Sequence, residues 1–282
     1  MGSEEFARCE RENALEALKW FRCSAEQGFL PAFCNAFNSV RKGLNSVPKN
    51  EREAYAWVET MKDKVDLRDY YYNVGCFYQE QKDYGNANRW FRMGMDAGNS
   101  SCVVSLGLVY LYGDRGLPMD EKEALRLFEV AAQMGDSYGY HNMGRCYYSA
   151  WGCTKDYRKA FECFDRAVQM GNPTAPMFLS RCYYWGRGVN EDKGKAFRLA
   201  KSQKEAGKSC PEEILGLCYL YGTGTAPDYA LAKELLERNS KEFAAACIGM
   251  GDMYDKGLGV PEDVQMAVSY YQKAEKWSNP LA

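Results

Sequence analysis

The sequence predicts an all-α fold of the α-solenoid class, made of about six to seven antiparallel helix-turn-helix repeats. Three series of residues, each keeping a period of about 36 residues along the chain, indicate this fold. Helix pairs that stack at a constant period bury their apolar faces against their neighbours and form a superhelix, which we expect to be right-handed. The three series mark the start of the second helix, the middle of the first helix and the end of each pair.

The start of each second helix carries a polar residue followed four positions later by an alanine. Aspartate and asparagine are preferred at the N-cap because their side chains accept a free amide proton of the first turn. The alanine lies one turn into the helix, where a small side chain lets a neighbouring helix approach. The seven pairs are Asn50/Ala54, Asp83/Ala87, Asp120/Ala124, Asp156/Ala160, Asp192/Ala196, Asp228/Ala232 and Asp263/Ala267.

The middle of each first helix carries a small residue, and a glycine closes several of the pairs. Glycine inside a helix costs about 1 kcal/mol relative to alanine, so its repetition predicts a close crossing of two helices. A glycine after the last turn fits the left-handed position that ends many helices. The helical series is Gly75, Gly107, Gly144, Ser180, Gly216 and Gly251, and the closing series is Gly98, Gly135, Gly171 and Gly207.

These markers predict where the helices lie. The first helices are expected near 69–80, 101–112, 138–149, 174–185, 210–221 and 245–256. The second helices are expected near 50–62, 84–97, 121–134, 157–170, 193–206, 229–238 and 264–276. Residues 12–27 and 31–42 predict two less regular helices at the N-terminal end. We interpret 1–282 as a single domain, with degenerate repeats in 1–67 and regular repeats in 68–277.

Composition and charge argue against several classes of protein. Hydrophobic residues at 46% and charged residues at 26% are ordinary for a soluble globular protein. The formal net charge is −2 and no basic block stands out, so the usual signature of nucleic-acid binding is missing. No apolar run reaches the roughly 20 residues of a membrane span, and the first residues do not form a secretion signal. We expect no nucleic-acid partner, no membrane insertion and an intracellular, reducing location in the cytoplasm.

The cysteines follow the repeat. Cys146, Cys182 and Cys218 are spaced by one repeat, and the corresponding positions of neighbouring copies hold Val109 and Met253. A position that accepts cysteine, valine or methionine is a small apolar packing site. We therefore interpret these cysteines as reduced packing residues, although the twelve cysteines of the chain also allow a disulfide framework.

Residues that could carry enzymatic chemistry are scarce. His141 is the one histidine of the chain, and no Cys-x-x-Cys motif occurs, so neither a histidine-dependent nucleophile nor a zinc site has a full set of residues. Three Gly-x-Gly pairs lack the lysine of a phosphate-binding loop and follow predicted helices rather than strands. We expect a non-enzymatic protein without cofactor or metal. The three pairs are Gly186/Gly188, Gly222/Gly224 and Gly257/Gly259.

The complete motif resembles the Sel1-like repeat, a relative of the tetratricopeptide repeat with a longer internal loop. The resemblance covers the chain from about Tyr70 onward, and the stretch before Asn50 matches poorly. One copy with a slightly longer loop shows it through Leu106, Gly107, Tyr110, Gly113, Gly116, Asp120, Ala124, Ala131, Ala132 and Gly135.

The resemblance implies a scaffold or adaptor that binds a protein or peptide partner on its concave face. The alternative is a permanent structural or assembly subunit of a larger intracellular complex. The chain would accordingly be a monomer or one subunit of a hetero-complex.

By analogy with tetratricopeptide arrays, the predicted binding face is formed by residues three before, one after and four or five after the small residue of each first helix. Arg145 and Arg181 occupy the same place in adjacent repeats, as do Tyr148 and Tyr184, and arginine beside tyrosine is typical of recognition sites. This pattern favours a partner with an acidic or aromatic segment; alternatively, the tyrosines pack between repeats and the arginines are solvated. The nominated residues are Tyr72, Gln79, Val104, Leu108, Tyr112, His141, Arg145, Tyr148, Met177, Arg181, Tyr184, Trp185, Glu213, Leu217 and Tyr221.

Overall fold

A computed structural model describes residues 3–43, 47–61, 67–113 and 116–278. These residues contain fifteen α-helices and no β-strand. The chain divides into two compact units, Met1–Pro118 and Met119–Ala282. The prediction of a single domain over 1–282 stays a prediction.

The first unit contains six helices within its described residues. They are α1 (Ser3–Glu26), α2 (Leu30–Lys42), α3 (Glu51–Met61), α4 (Arg68–Glu80), α5 (Tyr84–Asp96) and α6 (Ser100–Tyr112). Helix α2 packs against α1 and α3, and helix α5 packs against α4 and α6. Aromatic rings fill the interior: Tyr70 lies edge-on to Phe33 at 4.7 Å and to Phe37 at 5.0 Å between ring centroids.

The second unit contains nine helices within its described residues. They are α7 (Glu121–Gln133), α8 (Ser137–Ser149), α9 (Tyr157–Gln169), α10 (Ala175–Trp185), α11 (Lys193–Glu205), α12 (Glu212–Tyr221), α13 (Tyr229–Asn239), α14 (Ala244–Asp255) and α15 (Val264–Ser278). The antiparallel pairs are α8/α9, α10/α11, α12/α13 and α14/α15. The first helices of successive pairs also touch, α10 on α12 and α12 on α14, so these three helices form one continuous surface.

The predicted all-α fold of repeated helix pairs is confirmed, and the boundaries of the regular helices agree to within a few residues. The prediction was wrong at α1, which begins at Ser3 instead of near Glu12. Residues 3–11 hold glutamate, alanine and arginine without a proline or glycine, and these residue types favour continuation of a helix. The regular repeat offered no marker for this additional stretch.

The predicted capping aspartates and buried alanines are also confirmed. The carboxylate of Asp120 accepts a hydrogen bond from the backbone N–H of Glu123 at 3.0 Å, and Asp156 accepts from Lys159 at 3.0 Å. The alanines one turn later, such as Ala124 and Ala160, are fully buried. Each second helix therefore starts at a fixed residue and turns the same small side chain toward its neighbours.

The small residue of the first helix faces a matching residue of the second helix. A Cβ atom added to Gly144 would lie 2.6 Å from Cε1 of Phe164, well inside an ordinary contact. Where the first helix instead carries Ser180, the residue corresponding to Phe164 is Ala200, and both are fully buried. The Ser180 hydroxyl donates a hydrogen bond to the backbone oxygen of Ala196 at 2.9 Å. A larger residue on the first helix is thus matched by a smaller residue on the second helix, so that the two side chains fill a similar space in each pair.

The second glycine of each interhelical loop contacts the preceding repeat. A Cβ atom at Gly188 would lie 2.0 Å from the backbone oxygen of Tyr157, the first residue of α9. The same contact recurs at Gly152, whose added Cβ would lie 2.2 Å from the backbone oxygen of Glu121. These glycines therefore position one repeat on the next, and the Gly-x-Gly pairs have a structural role.

Candidate functional site

A groove crosses the continuous surface of α10, α12 and α14 in the second unit. Its volume is about 390 Å³, and it is open to solvent. We refer to it as the aromatic groove, because tyrosine and tryptophan form much of its wall. It is lined by Tyr184, Trp185, Glu191, Lys193, Leu217, Tyr221, Ala245 and Ile248.

Three large apolar side chains of the aromatic groove remain exposed. Trp185 and Tyr221 are each 42% exposed and Ile248 is 44% exposed. Trp185 and Tyr221 follow the small residues Ser180 and Gly216 by five positions, the spacing nominated from the sequence. Ile248 precedes the corresponding Gly251 by three positions, so the same rule would have found it had it been extended to the last repeat.

Hydrogen bonds orient the tyrosine at the centre of the groove. The Tyr221 hydroxyl donates to Asp252 at 2.6 Å, and the Tyr271 hydroxyl donates to the other oxygen of the same carboxylate at 2.7 Å. Lys256 lies 3.6 Å from Asp252. Burial raises the pKa of Tyr221 and the carboxylate of Asp252 raises it further, so the hydroxyl stays protonated as a donor at neutral pH. The hydroxyl of Tyr221 is therefore held by a hydrogen bond while the residue remains 42% exposed.

The charged side chains at the rim are paired. Lys193 lies 3.2 Å from Glu191, and its ammonium group is 5.5 Å from the ring centroid of Tyr184. The ring of Tyr184 is buried beneath the groove, with 3% of its surface exposed, and packs edge-on against Trp185 at 4.7 Å. The groove wall is thus apolar and aromatic, with its charges neutralised at the edge.

The structure gives Arg181 an internal partner. Its Nε donates to Glu213 at 2.6 Å, and the two side chains are only 15% and 4% exposed. The guanidinium also lies 5.0 Å from the ring centroid of Phe243. Both residues were nominated as surface positions, but the proximity that makes them an ion pair was not foreseen. Desolvation and pairing therefore leave Arg181 little capacity to attract an acidic partner.

Arg145 and the aromatic residues near it make contacts within the unit. The Arg145 guanidinium donates to Asn142 at 3.0 Å and lies 5.2 Å from the ring centroid of Trp151. Tyr148 is half-buried and accepts a hydrogen bond from Arg187 of the following loop. Arg145 and Arg181, which occupy the same place in adjacent repeats, therefore each have a partner within the unit: Arg145 contacts its own repeat and Arg181 contacts the next one.

His141 lies in the interior at the junction of α8 and α10. It is 6% exposed, its ring centroid is 5.2 Å from that of Phe178, and its Nε2 lies 3.5 Å from the hydroxyl of Thr174. Burial, with a smaller contribution from the nearby charge of Arg145, lowers the pKa of His141 to about 4. The imidazole is therefore neutral at physiological pH and packs between repeats. Met177 of α10 is half-buried.

The nominated residues of the first unit differ in their exposure. Tyr112 is 45% exposed at the end of α6, whereas Val104 is buried. Tyr72 is half-buried, with its ring centroid 6.3 Å from that of Phe91. The remaining residues nominated from this unit are half-buried, namely Gln79 and Leu108.

A family model for the Sel1 repeat matches eight segments that together cover most of the chain. The chain belongs to the Sel1 repeat family. Sel1 repeats are generally protein–protein interaction modules, and the family is generally a non-catalytic scaffold. The matched segments are residues 7–29, 40–61, 69–99, 101–136, 137–172, 175–202, 214–238 and 244–276.

Solved structures of Sel1 repeat proteins share the fold. A Sel1 repeat protein from Oxalobacter formigenes is 23% identical with a TM-score of 0.64, over 98% of this chain and 82% of that one. A protective antigen of uropathogenic Escherichia coli strains that displays an SLR fold has the same identity and TM-score. The match covers 93% of this chain, which spans only 56% of the antigen's length.

Three cysteines of the Sel1 repeats occupy a common position in the packed interior. Cys146, Cys182 and Cys218 are fully buried, and burial raises their pKa values to about 12, 12 and 11. A thiol with such a pKa is almost entirely protonated at neutral pH and is a poor nucleophile. The interpretation of these residues as packing residues agrees with their placement.

Two further observations concern the described part of this Sel1 repeat chain. Within residues 3–43, 47–61, 67–113 and 116–278, no cluster of histidine, cysteine, aspartate or glutamate has the arrangement of a metal site. In the same part of the chain, no helix is both long and apolar enough to cross a membrane.

Proposed function

We propose that this chain is a non-enzymatic scaffold or adaptor that binds a protein or peptide partner through the first-helix face of the second unit. The observation that supports this proposal best is the aromatic groove, where Trp185, Tyr221 and Ile248 stay exposed on three adjacent helices. Aromatic side chains presented on a rigid surface supply large contact area at a low cost in conformational entropy. The general role of Sel1 repeats in protein binding agrees with this reading.

The proposal places partner recognition on α10, α12 and α14, which hold only some of the residues nominated from the sequence. Trp185 and Tyr221 carry it, and the buried Leu217 also lines the groove. Arg181 acts as a positioning residue, since its ion pair with Glu213 joins α10 to α12 beside the groove. The partner expected here is apolar rather than acidic.

Affinity purification of the full chain from its native cells tests the proposal. Proteins captured by the wild-type chain should be lost with the double variant Trp185→Ala/Tyr221→Ala. They should be retained by Tyr112→Ala, which removes an aromatic residue of similar exposure from the first unit. Identical capture by all three proteins would refute a role for the groove, provided that their circular dichroism spectra agree.

Gel filtration of the purified chain separates this proposal from a permanent subunit of a larger complex. An adaptor is expected to elute alone as a monodisperse species. A chain that remains soluble only when produced with its partner would favour the permanent-subunit alternative.

A further inference from the structure

We propose that Asp252 is a positioning residue of the aromatic groove, which fixes Tyr221 for binding and connects it to the last helix through Tyr271. Among the described residues that line the groove, Tyr221 is included and Asp252 and Tyr271 are not. This inference rests on the proposed function and deepens it, because it names residues outside the groove on which binding depends.

One carboxylate accepts hydrogen bonds from two tyrosines on different helices. The hydroxyl of Tyr221 on α12 donates to one oxygen of Asp252 at 2.6 Å, and the hydroxyl of Tyr271 on α15 donates to the other oxygen at 2.7 Å. Hydrogen bonds from a hydroxyl to a carboxylate are short and about twice as strong as those between neutral groups. The three side chains therefore connect α12, which contributes Tyr221 to the groove, with α14 and α15.

The ring of Tyr271 is itself fixed by the packing of α14 on α15. A Cβ atom added to Gly251 would lie 2.4 Å from Cε1 of Tyr271, so the ring lies directly against the backbone of α14. Phe164 contacts Gly144 in the same way, but phenylalanine has no hydroxyl. The hydroxyl of Tyr271 is therefore presented at a fixed position, where it holds the carboxylate that accepts from Tyr221.

The carboxylate and the second hydroxyl are particular to the last repeat. Asp252 follows the small residue of its first helix by one position, and Tyr271 follows the buried alanine of its second helix by four. The packing of a repeat requires neither group, because the other repeats lack both at these places, whereas the hydrogen bond of Tyr221 requires the carboxylate. The first place is otherwise held by Cys76, Leu108, Arg145, Arg181 and Leu217, and the second by Val58, Phe91, Phe128, Phe164, Ala200 and Leu236.

The hydrogen bond of Tyr221 favours binding because it orders the side chain before a partner arrives. Tyr221 is 42% exposed, so without the hydrogen bond its side chain is free to adopt other rotamers. Ordering one such side chain on binding lowers the affinity by about two- to tenfold. Loss of the Asp252 carboxylate should therefore weaken binding although every residue that lines the groove is kept.

Chemical modification of tyrosine tests the positioning without a partner. Tetranitromethane nitrates the phenolate form of tyrosine, and peptide mass spectrometry measures the rate at each residue of the full chain. Burial and the carboxylate of Asp252 raise the pKa of Tyr221, so nitration there should be slow in the wild type. Asp252→Ala should accelerate it by about tenfold, which is the effect of one unit of pKa on the phenolate fraction. Tyr138, which is 44% exposed in the same unit, should keep its rate.

Affinity purification of the full chain tests the consequence for binding. Asp252→Ala should lower the amount of captured protein by about two- to tenfold. Asp252→Asn, whose amide oxygen still accepts a hydrogen bond, should restore most of it. Asp255→Asn removes an exposed carboxylate of the same helix and should behave as the wild type does. Tyr221→Phe combined with Asp252→Ala should lose no more than either change alone, because both remove the same hydrogen bond.

The outcomes separate this inference from the proposed function. Capture that Trp185→Ala/Tyr221→Ala abolishes but Asp252→Ala leaves unchanged would overturn the positioning role and keep the groove as the binding site. An unchanged nitration rate of Tyr221 in Asp252→Ala would also overturn that role. Capture that none of these changes affects, or a wild-type chain that captures no protein, would overturn both.

A second variant covers the case in which Asp252→Ala does not fold by circular dichroism. Tyr221→Phe removes the same hydrogen bond and keeps the ring in the groove. It should lower capture by the same factor as Asp252→Ala, and capture equal to that of the wild type would overturn the positioning role.

Discussion

The complementary sizes of Gly144 and Phe164, which face each other within one helix pair, lead to a quantitative prediction. A Cβ atom at Gly144 would lie 2.6, 2.7 and 3.0 Å from three atoms of the Phe164 ring. Carbon atoms attract most favourably at about 3.5–4.0 Å, so the ring would have to move by about 1 Å. It has little room, because Phe164 is fully buried and stacks on Phe178 with ring centroids 5.0 Å apart.

Gly144→Ser should therefore destabilise the protein. Overpacking of this kind costs about 1–3 kcal/mol, and the better helix propensity of serine offsets about 0.5 kcal/mol of that cost. Phe164→Ala alone should cost about 3–5 kcal/mol, because it leaves a cavity. The double variant recreates the pair Ser180/Ala200, which the chain already contains one repeat later. In it, the added serine should cost nothing.

Urea unfolding followed by circular dichroism measures this double-mutant cycle. The coupling free energy between the two positions should be about 1–3 kcal/mol in favour of the double variant. The m value should be the same in all four proteins, because it scales with the surface area that unfolding exposes to solvent. A serine that costs the same amount in both backgrounds would refute the argument that the ring and the glycine share one space.

Three further predictions concern contacts between repeats. Gly188→Ala should destabilise the chain by about 1–3 kcal/mol more than Gly171→Ala, measured by urea unfolding, since both have positive φ but only Gly188 would meet backbone atoms; equal losses would contradict the loop contact. Because burial lowers the pKa of His141 to about 4 from about 6.5 in the unfolded chain, the unfolded state binds the proton more tightly. Stability present above pH 6.5 should fall by on the order of 3 kcal/mol by pH 4, and His141→Gln should flatten this pH dependence of the unfolding free energy; an unchanged slope would be evidence against it. Glu213→Gln should cost about 3 kcal/mol because its buried arginine partner keeps an uncompensated charge, whereas Glu234→Gln, in an exposed ion pair, should cost under about 1 kcal/mol; thermal denaturation that does not distinguish the two would argue against the buried pair.

The local rules of helix formation allowed much of the fold to be predicted. Asp156 caps α9, Ala160 lies buried one turn later and Gly144 faces the neighbouring helix, all as the sequence pattern implied. These features depend on residues within one helix pair, and their repetition made the signal strong. The register of the first helices also predicted that Trp185 and Tyr221 share a face, and both line the aromatic groove, because residues at equal helical positions share a face.

Contacts between repeats were much harder to predict. Arg181 and Glu213 stand 32 positions apart, and each alone resembles a solvated surface residue. Their ion pair exists because α10 and α12 lie side by side in the unit. His141 similarly appeared to be a candidate for a binding face, yet Phe178 and Thr174 of the next repeat enclose it. Burial by a neighbouring repeat is a property of the stack.

The sequence by itself determined the repeat, the boundaries of the regular helices and the family, since caps, small residues and closing glycines act over a few residues and recur at one period. Only the tertiary structure decided which residues of the predicted face remain available. It placed Tyr184 and His141 in the interior, neutralised Arg181 and left Trp185, Tyr221 and Ile248 around one groove. The physical reason is that exposure and pairing depend on the distance between adjacent first helices, which no single repeat encodes.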